Sequence, residues 1–271
     1  MTVSAAVLGL AEDANTYTPL GRGQERIARD EYVLWMMPGL GEAHGAVAQR
    51  LRLRPERVEP VVAELREIVR SRDRIALSWE IGSSAKPSHL VERLLALGMR
   101  LDDDPHLVAV VCTSPPEPGP NAVEVRRVEG FEDFATALRI AHTAFGGTVD
   151  DDPKSQYGLW RGDASQSRYI ALVEGRAIAS ASATFTPHGV VLNAGATLPE
   201  ARGLGAYRAL VRARWDDAVG RGNARPDHAG RAHVCADPGA ARLLRGGADH
   251  RLDRHAVSQP RRCRRRANST R

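Results

Sequence analysis

Apolar residues recur along this chain at spacings that change from helical to alternating, and the changes mark out its elements. Residues 24–37, QERIARDEYVLWMM, carry Ile27, Tyr32 and Trp35 near helical spacing, with Val33 and Leu34 beside them. Pro38-Gly39 closes the run, and the pattern predicts a helix. EAHGAVAQRLRL (42–53) repeats it and predicts a second. In PERVEPVVAELREIVRSR (55–72), Pro55 stands in a first turn, and Val58, Val62, Leu65 and Val69 share one face. RIALSWEIG (74–82) alternates Ile75, Leu77, Trp79 and Ile81 with smaller or polar residues, which predicts a half-buried strand. The turn GSSAKP, a helix SHLVERLLALG (88–98) closed by Gly98, and a strand HLVAVV (106–111) follow.

TSPPEPGPN (113–121) has four prolines in nine residues and reads as a linker. Beyond it VEVRRV is a strand and FEDFATALRIAHTAF a helix, then come the acidic VDDDP and a short helix at SQYGLW. RYIALVE and RAIASASATF are strands joined at Glu174-Gly175-Arg176, a hairpin signal. VVLNAGATL (190–198) is a strand, and a helix runs from about Gly205 to Val219. Its expected apolar face is Tyr207, Leu210, Val211, Trp215 (or Arg214), Ala218 and Val219, with Gly220 and Gly222 ending it.

Composition divides the chain further. Its 271 residues suffice for one large domain or two ordinary ones, and 42% hydrophobic with 26% charged residues is ordinary globular content. No stretch approaches the ~20 apolar residues of a membrane span. The N-terminus has no positive region before its short apolar run, which argues against a secretory signal. Three scattered cysteines (Cys112, Cys235, Cys263) make no disulfide framework and point to a reducing cytoplasm. Two lysines stand against 36 arginines, the mark of a GC-rich gene.

The net charge of +5 is unevenly spread: residues 1–224 carry −3 and residues 225–271 carry +8. That tail has no Ile, Met, Phe, Trp or Tyr, so little burial is available to offset chain entropy. It reads as disordered, with GAARLLRGG (239–247) as its one conceivable helix. The change of text near residue 224 is abrupt, as in an out-of-frame reading of a gene whose ancestor continued the fold; translating the neighbouring frames tests this. The expected domains are a helical/β unit (1–112), the linker (113–121), a unit at 122–223 and the tail (224–271).

Chemistry concentrates at TLPEARGLGAYR (197–208), a glycine turn between strand and helix. Such a turn exposes unpaired helix N–H groups and the positive end of the helix dipole. Gly203 and Gly205 let a diphosphate approach the main chain, and Arg202 adds a charge. An ordinary strand-to-helix connection would use the same glycines. The dinucleotide fingerprint fails, with Arg208 where its third glycine belongs, and no Gly-Lys-Ser/Thr follows for a P-loop.

The stretch resembles the acetyl-CoA loop of the GCN5-related N-acetyltransferases, Arg/Gln-x-x-Gly-x-Gly/Ala, here Arg202-Gly203-Leu204-Gly205-Ala206-Tyr207 after Pro199-Glu200-Ala201. The element order over about 122–222 resembles that family too. The resemblance implies an α/β (α+β) fold, a mixed sheet flanked by helices. It implies a chain that transfers acetyl from acetyl-CoA to a primary amine by direct attack, without a cysteine nucleophile. Amides of Leu204, Gly205, Ala206 and Tyr207 would hold the diphosphate with Arg202 and Gly203. The strand end Ala196, Thr197 and Leu198 would pair with the pantetheine arm. Tyr207 departs from the motif by crowding a small-residue position, and no tyrosine follows it to protonate the leaving thiolate, so the catalytic groups stay unassigned. The segment from WEIG through HLVAVV resembles the closing half of the same fold, which implies a tandem protein with a degenerate first domain.

Two alternatives belong to other classes: a catalytically impaired acyl-CoA-binding or interaction protein, and nucleic-acid binding through PRRCRRR (260–266), sequence-blind for want of a recognition fold. The tail's His228, His233, Cys235, His250, His255 and Cys263 fit no compact zinc spacing, so no metal is expected. Asp150, Asp151 and Asp152 read as a solvated loop, Glu174 and Glu200 as turn residues, His142 as partly buried, and Trp79, Trp160 and Trp215 as packing residues.

Overall fold

A computed structural model describes residues 5–36, 45–74, 76–101, 111–112, 114–145, 152–187, 189–222 and 242–247. The first sheet contains β1 (Glu25–Ala28), β2 (Val33–Met36), β3 (Ala46–Gln49), β4 (Ala76–Ile81), β5 (Arg100–Leu101) and β10 (Arg242–Gly247), ordered β1-β2-β3-β4-β10-β5. All its pairings are antiparallel except β3 with β4, which meet in parallel through Val47–Ser78 and Ala48–Trp79.

The helices expected over 24–37 and 42–53 are therefore corrected. Residues 25–36 form a hairpin, and Arg29 N donates to the Tyr32 carbonyl (2.9 Å) at its turn. Val33, Leu34 and Met36 are buried and Trp35 partly so, while all four residues of β3 are buried. Covering both faces erases the alternation that would have marked these runs as strands. The helix over 55–72 is borne out by α3 (Val58–Arg70): Val58, Val61, Val62, Leu65 and Val69 are buried, and Pro55 opens a preceding 3₁₀ turn. With α4 (Leu90–Ala96) it covers a core around Trp79, Leu34 and Leu77. The strand expected over 106–111 lies outside the described residues, Val111 apart.

The second sheet contains β6 (Glu124–Arg127), β7 (Gln166–Val173), β8 (Arg176–Thr186) and β9 (Gly189–Thr197), antiparallel in that order. Glu174 (φ 50°) and Gly175 (φ 75°) make the β7–β8 turn, the two left-handed positions a tight hairpin requires. On one face, α5 (Phe131–Phe145) and α6 (Pro153–Arg161) pack Phe134, Ala137 and Leu138 on Ile170 and Leu172. On the other, α7 (Ala206–Gly220) lays Ala206, Leu210 and Ala218 over Tyr169 and over Ala171, Ala179 and Ala181, three small residues that let the helix approach closely.

The buried face of α7 is rotated from the expected one. Tyr207 and Val219 are exposed, whereas Arg214 is buried with Leu210 and Trp215. Two short helices, α1 (Ala5–Glu12) and α2 (Ala14–Tyr17), join the halves: Leu10, Ala11 and Ala14 pack on Val191 of β9. The tail, expected to be structureless or briefly helical at 239–247, supplies strand β10 instead, paired with β4 and β5. The remainder of 224–271 lies outside the described residues. No described helix is long and apolar enough to cross a membrane.

Candidate functional site

Strand β9 ends at Thr197, held to β8 by Ala179, and Leu198 N donates to the Ile178 carbonyl (2.9 Å). A 3₁₀ turn at Pro199–Ala201 leads to Gly203 (φ 88°) and Gly205 (φ 78°), left-handed positions that a β-carbon would strain. Gly205 is the N-cap of α7 and has no side chain with which to cap it. Helix geometry gives first-turn amides no acceptor within the helix, and the ladder here begins at Ala209 N to Gly205 O (3.1 Å).

Between strand end and helix start lies a cleft of about 400 Å³. Of the residues expected there, Thr197, Arg202, Gly203, Gly205, Ala206 and Tyr207 line it; Ala196, Leu198 and Leu204 do not. Ala196 is buried and Leu204 is largely exposed. Ala201 and Arg208 line the cleft as well, and sequence reasoning missed both. Arg208 carried a usable signal, since it stands in the first turn of the helix that follows Arg202 and the glycine turn. A β-carbon at Gly203 would meet nothing within 4 Å, so that glycine opens onto free space.

The other glycines of the site are used for packing. A β-carbon at Gly205 would lie 2.6 Å from Pro120 Cγ, so the proline-rich segment rests against the helix start. Arg212 of α7 also donates to the Pro116 carbonyl (3.1 Å). Gly195 of β9 holds the ring of Tyr207, whose Cε2 is 2.7 Å from where a β-carbon would stand. Gly195 belongs to a β-bulge: Ser180 faces Ala196 and Ser182 faces Asn193, leaving one residue more on β9, with Ala194 at φ 50°. The crowding that Tyr207 would bring to the motif is thus relieved by a glycine across the cleft.

Arginine dominates the surroundings. Arg202 and Arg208 line the cleft, while Glu200 is paired with Arg176 (2.8 Å). Behind the Tyr207 ring, Arg214 donates from Nε to the Leu210 carbonyl (3.0 Å) and from Nη1 to the Ser182 carbonyl (3.1 Å). Further along α7, the Tyr169 hydroxyl and Arg221 Nε (3.1 Å) both donate to Asp217. Burial pushes the Asp217 carboxyl up, but these two donors outweigh it and hold it below its usual range. None of the residues lining the cleft is a carboxylic acid or a histidine, and its two charged residues, Arg202 and Arg208, are groups that bind anions.

Acids gather instead in the first sheet. Glu12 accepts from Ser83 N (2.8 Å) and Ser84 N (3.1 Å), and Asp13 accepts from Arg50 N (2.8 Å) and Arg52 (3.2 Å). Gln49 donates to Glu80, whose carboxyl is pushed up to about 8 by burial and by the nearby Asp13 charge. These contacts pin α1 and α2 to β3 and β4. Asp152 caps α6 by accepting from Ser155 N (3.0 Å); Asp150 and Asp151 lie outside the described residues, as do the tail's histidines and cysteines. No group of three metal-capable side chains occurs among the described residues.

No family model matches the sequence, and no curated protein matches it. Solved structures do match in shape. A GCN5-related N-acetyltransferase from Kribbella flavida superposes with a TM-score of 0.59 at 20% identity, covering 91% of this chain and 96% of its own. A functionally unknown conserved protein from Staphylococcus epidermidis superposes at 0.52 with 14% identity, over 85% of this chain and 86% of its own. A tandem protein of the same acetyltransferase class, from the clavulanic acid biosynthesis pathway, superposes at 0.48 with 13% identity, over 90% and 94%. The chain has the GCN5-related acetyltransferase fold along most of its length.

Proposed function

We propose that the cleft between β9 and α7 binds the diphosphate of acetyl-CoA, and that the protein transfers the acetyl group to a primary amine. The observation that carries this reading is the cleft itself: an uncapped helix start, an open glycine at Gly203, and Arg202 and Arg208 at its rim. The fold shared with an N-acetyltransferase supports it. Amides of Leu204 to Tyr207 would face the diphosphate, where helix dipole and hydrogen bonding both favour an anion. The strand end Ala196 to Leu198 would direct the thioester arm.

The chemistry is a direct displacement. The amine nitrogen attacks the thioester carbonyl, the carbon–sulfur bond breaks, and the thiolate leaves with the proton that the amine gives up. The protein's contribution is proximity and orientation. In this reading residues 122–223 form the donor-binding unit behind a partner unit at 1–112, in a reducing cytoplasm.

A second reading, an acyl-CoA-binding protein without turnover, is favoured by one observation. Among the described residues the second sheet ends at β9, and the strand that follows α7 joins the first sheet instead. Titration calorimetry with acetyl-CoA tests the binding shared by both readings. A thiol-release assay over a panel of amines then separates them: binding with turnover supports the transferase, and binding without it supports the second reading.

A further inference from the structure

The ring of Tyr207 covers β9 at Gly195, where the strand has no side chain. A β-carbon at Gly195 would stand 2.7 Å from its Cε2, 3.3 Å from its Cδ2 and 3.8 Å from its Cζ, so the ring lies directly on the backbone. That backbone is the bulge, between Ala194 at φ 50° and Ala196, which faces Ser180. Strand β9 is the edge of its sheet among the described residues, so this stretch is where an extended molecule would run beside it. Tyr207 is 43% exposed, and it lines the cleft together with Arg202 and Gly203. It packs on strand backbone at the cleft wall and is not part of the core.

We propose that Tyr207 gates the strand end and sets which acyl donors enter. This inference rests on the acyl-CoA reading above and deepens it. The diphosphate would sit against the glycine turn, where Gly203 opens onto free space. The arm that carries the acyl group has no such space until the ring leaves Gly195. A site whose open form is only fractionally populated binds its ligand more weakly by that fraction. The penalty falls on molecules with an arm and spares those that carry the diphosphate alone. A bulkier acyl group needs more of the groove, so its penalty is greater.

The test compares ADP, acetyl-CoA and octanoyl-CoA by titration calorimetry on the full chain and on Tyr207→Ala and Tyr207→Leu, with folding followed by circular dichroism. The gate predicts that Tyr207→Ala tightens acetyl-CoA about fivefold and octanoyl-CoA more, with the gain confined to ligands that have an arm. Tyr207→Leu, which keeps an apolar side chain without the ring, is expected to change the same ligands in the same order and carries the comparison if the alanine variant does not fold. Unchanged or weakened acetyl-CoA binding, or an equal change for ADP, overturns the gate and leaves the donor reading standing. If none of the three ligands binds the parent chain or either variant, the donor reading itself is overturned and the gate with it.

Discussion

Gly119 and Ala209 touch so closely that a β-carbon on the glycine would lie 2.4 Å from the Ala209 β-carbon and 2.6 Å from its Cα. The proline-rich segment is therefore a strap laid across α7, secured again by Pro120 against Gly205 and by Arg212 on the Pro116 carbonyl. Because helix backbone is among the atoms in the way, Gly119→Ala cannot be absorbed by a side-chain rotation. It is expected to destabilise the fold by about 1–3 kcal/mol in urea unfolding. Gly130→Ala, at a glycine whose β-carbon would meet nothing within 4 Å, is expected to stay within about 0.5 kcal/mol of the parent. Equal effects would show that the strap does not bear on α7.

Asp217 gives a pH dependence of known sign. Its carboxyl titrates below the ordinary 3.8 in the folded chain, because the donors Tyr169 and Arg221 outweigh the effect of burial. A depressed folded value means stability that is present above the unfolded value and lost as pH falls through the folded one. Asp217→Asn should therefore be less stable than the parent by about 1–2 kcal/mol near neutral pH, with the gap closing below about pH 4. A gap that does not vary with pH would assign the loss to packing.

Glu80 carries the opposite sign. Burial and Asp13 raise its carboxyl from 4.5 to about 8, so between these values the folded chain holds a proton that the unfolded chain has released. Stability then falls as pH rises through that window. Glu80→Gln removes the dependence, and urea midpoints for the two proteins should diverge between about pH 5 and pH 8 in favour of the glutamine variant. Parallel midpoints would mean that Glu80 is ionised throughout.

Arg202 and Arg208 test the anion reading without touching the core. Both line the cleft. Replacing either by alanine is expected to weaken ADP and acetyl-CoA alike by about three- to tenfold, with a shallower salt dependence than the parent shows. Stability should be unchanged, since neither side chain is buried. Binding that ignores both substitutions would place the diphosphate elsewhere.

The glycine turn was legible because its chemistry is local: a left-handed position, an uncapped helix and a basic residue are written in consecutive letters. The helix over 58–70 was legible because solvent covers one of its faces and the sheet the other. The hairpin at 25–36 and strand β3 were not. Val33-Leu34-Trp35-Met36 and Ala46-Val47-Ala48-Gln49 are runs of four covered on both faces, and such runs have no period to read. The face of α7 departs from its pattern at Tyr207, which turns outward to a glycine twelve residues back, while the burial of Arg214 is permitted by its carbonyl partners Leu210 and Ser182. Contacts of that kind join positions whose pairing no local pattern records.

Strand β10 poses the sharpest contrast with the sequence. An out-of-frame tail predicts that everything after Asn223 is dispensable. The fold places residues 242–247 between β4 and β5, six Cα pairs deep against β4 from Arg242–Ile81 to Gly247–Ala76. A chain ending at residue 247 keeps that strand; a chain ending at residue 223 leaves β4 with an open edge and β5 without its partner. Exposed edges favour aggregation, and a strand lost from inside a sheet takes its ladder hydrogen bonds with it. Truncation after residue 247 is accordingly expected to leave the unfolding midpoint within about 0.5 kcal/mol of the full chain, whereas truncation after residue 223 should lower it by several kcal/mol or abolish soluble expression. Equal stability of the two truncated chains would remove β10 from the fold and restore the reading of the tail as disordered.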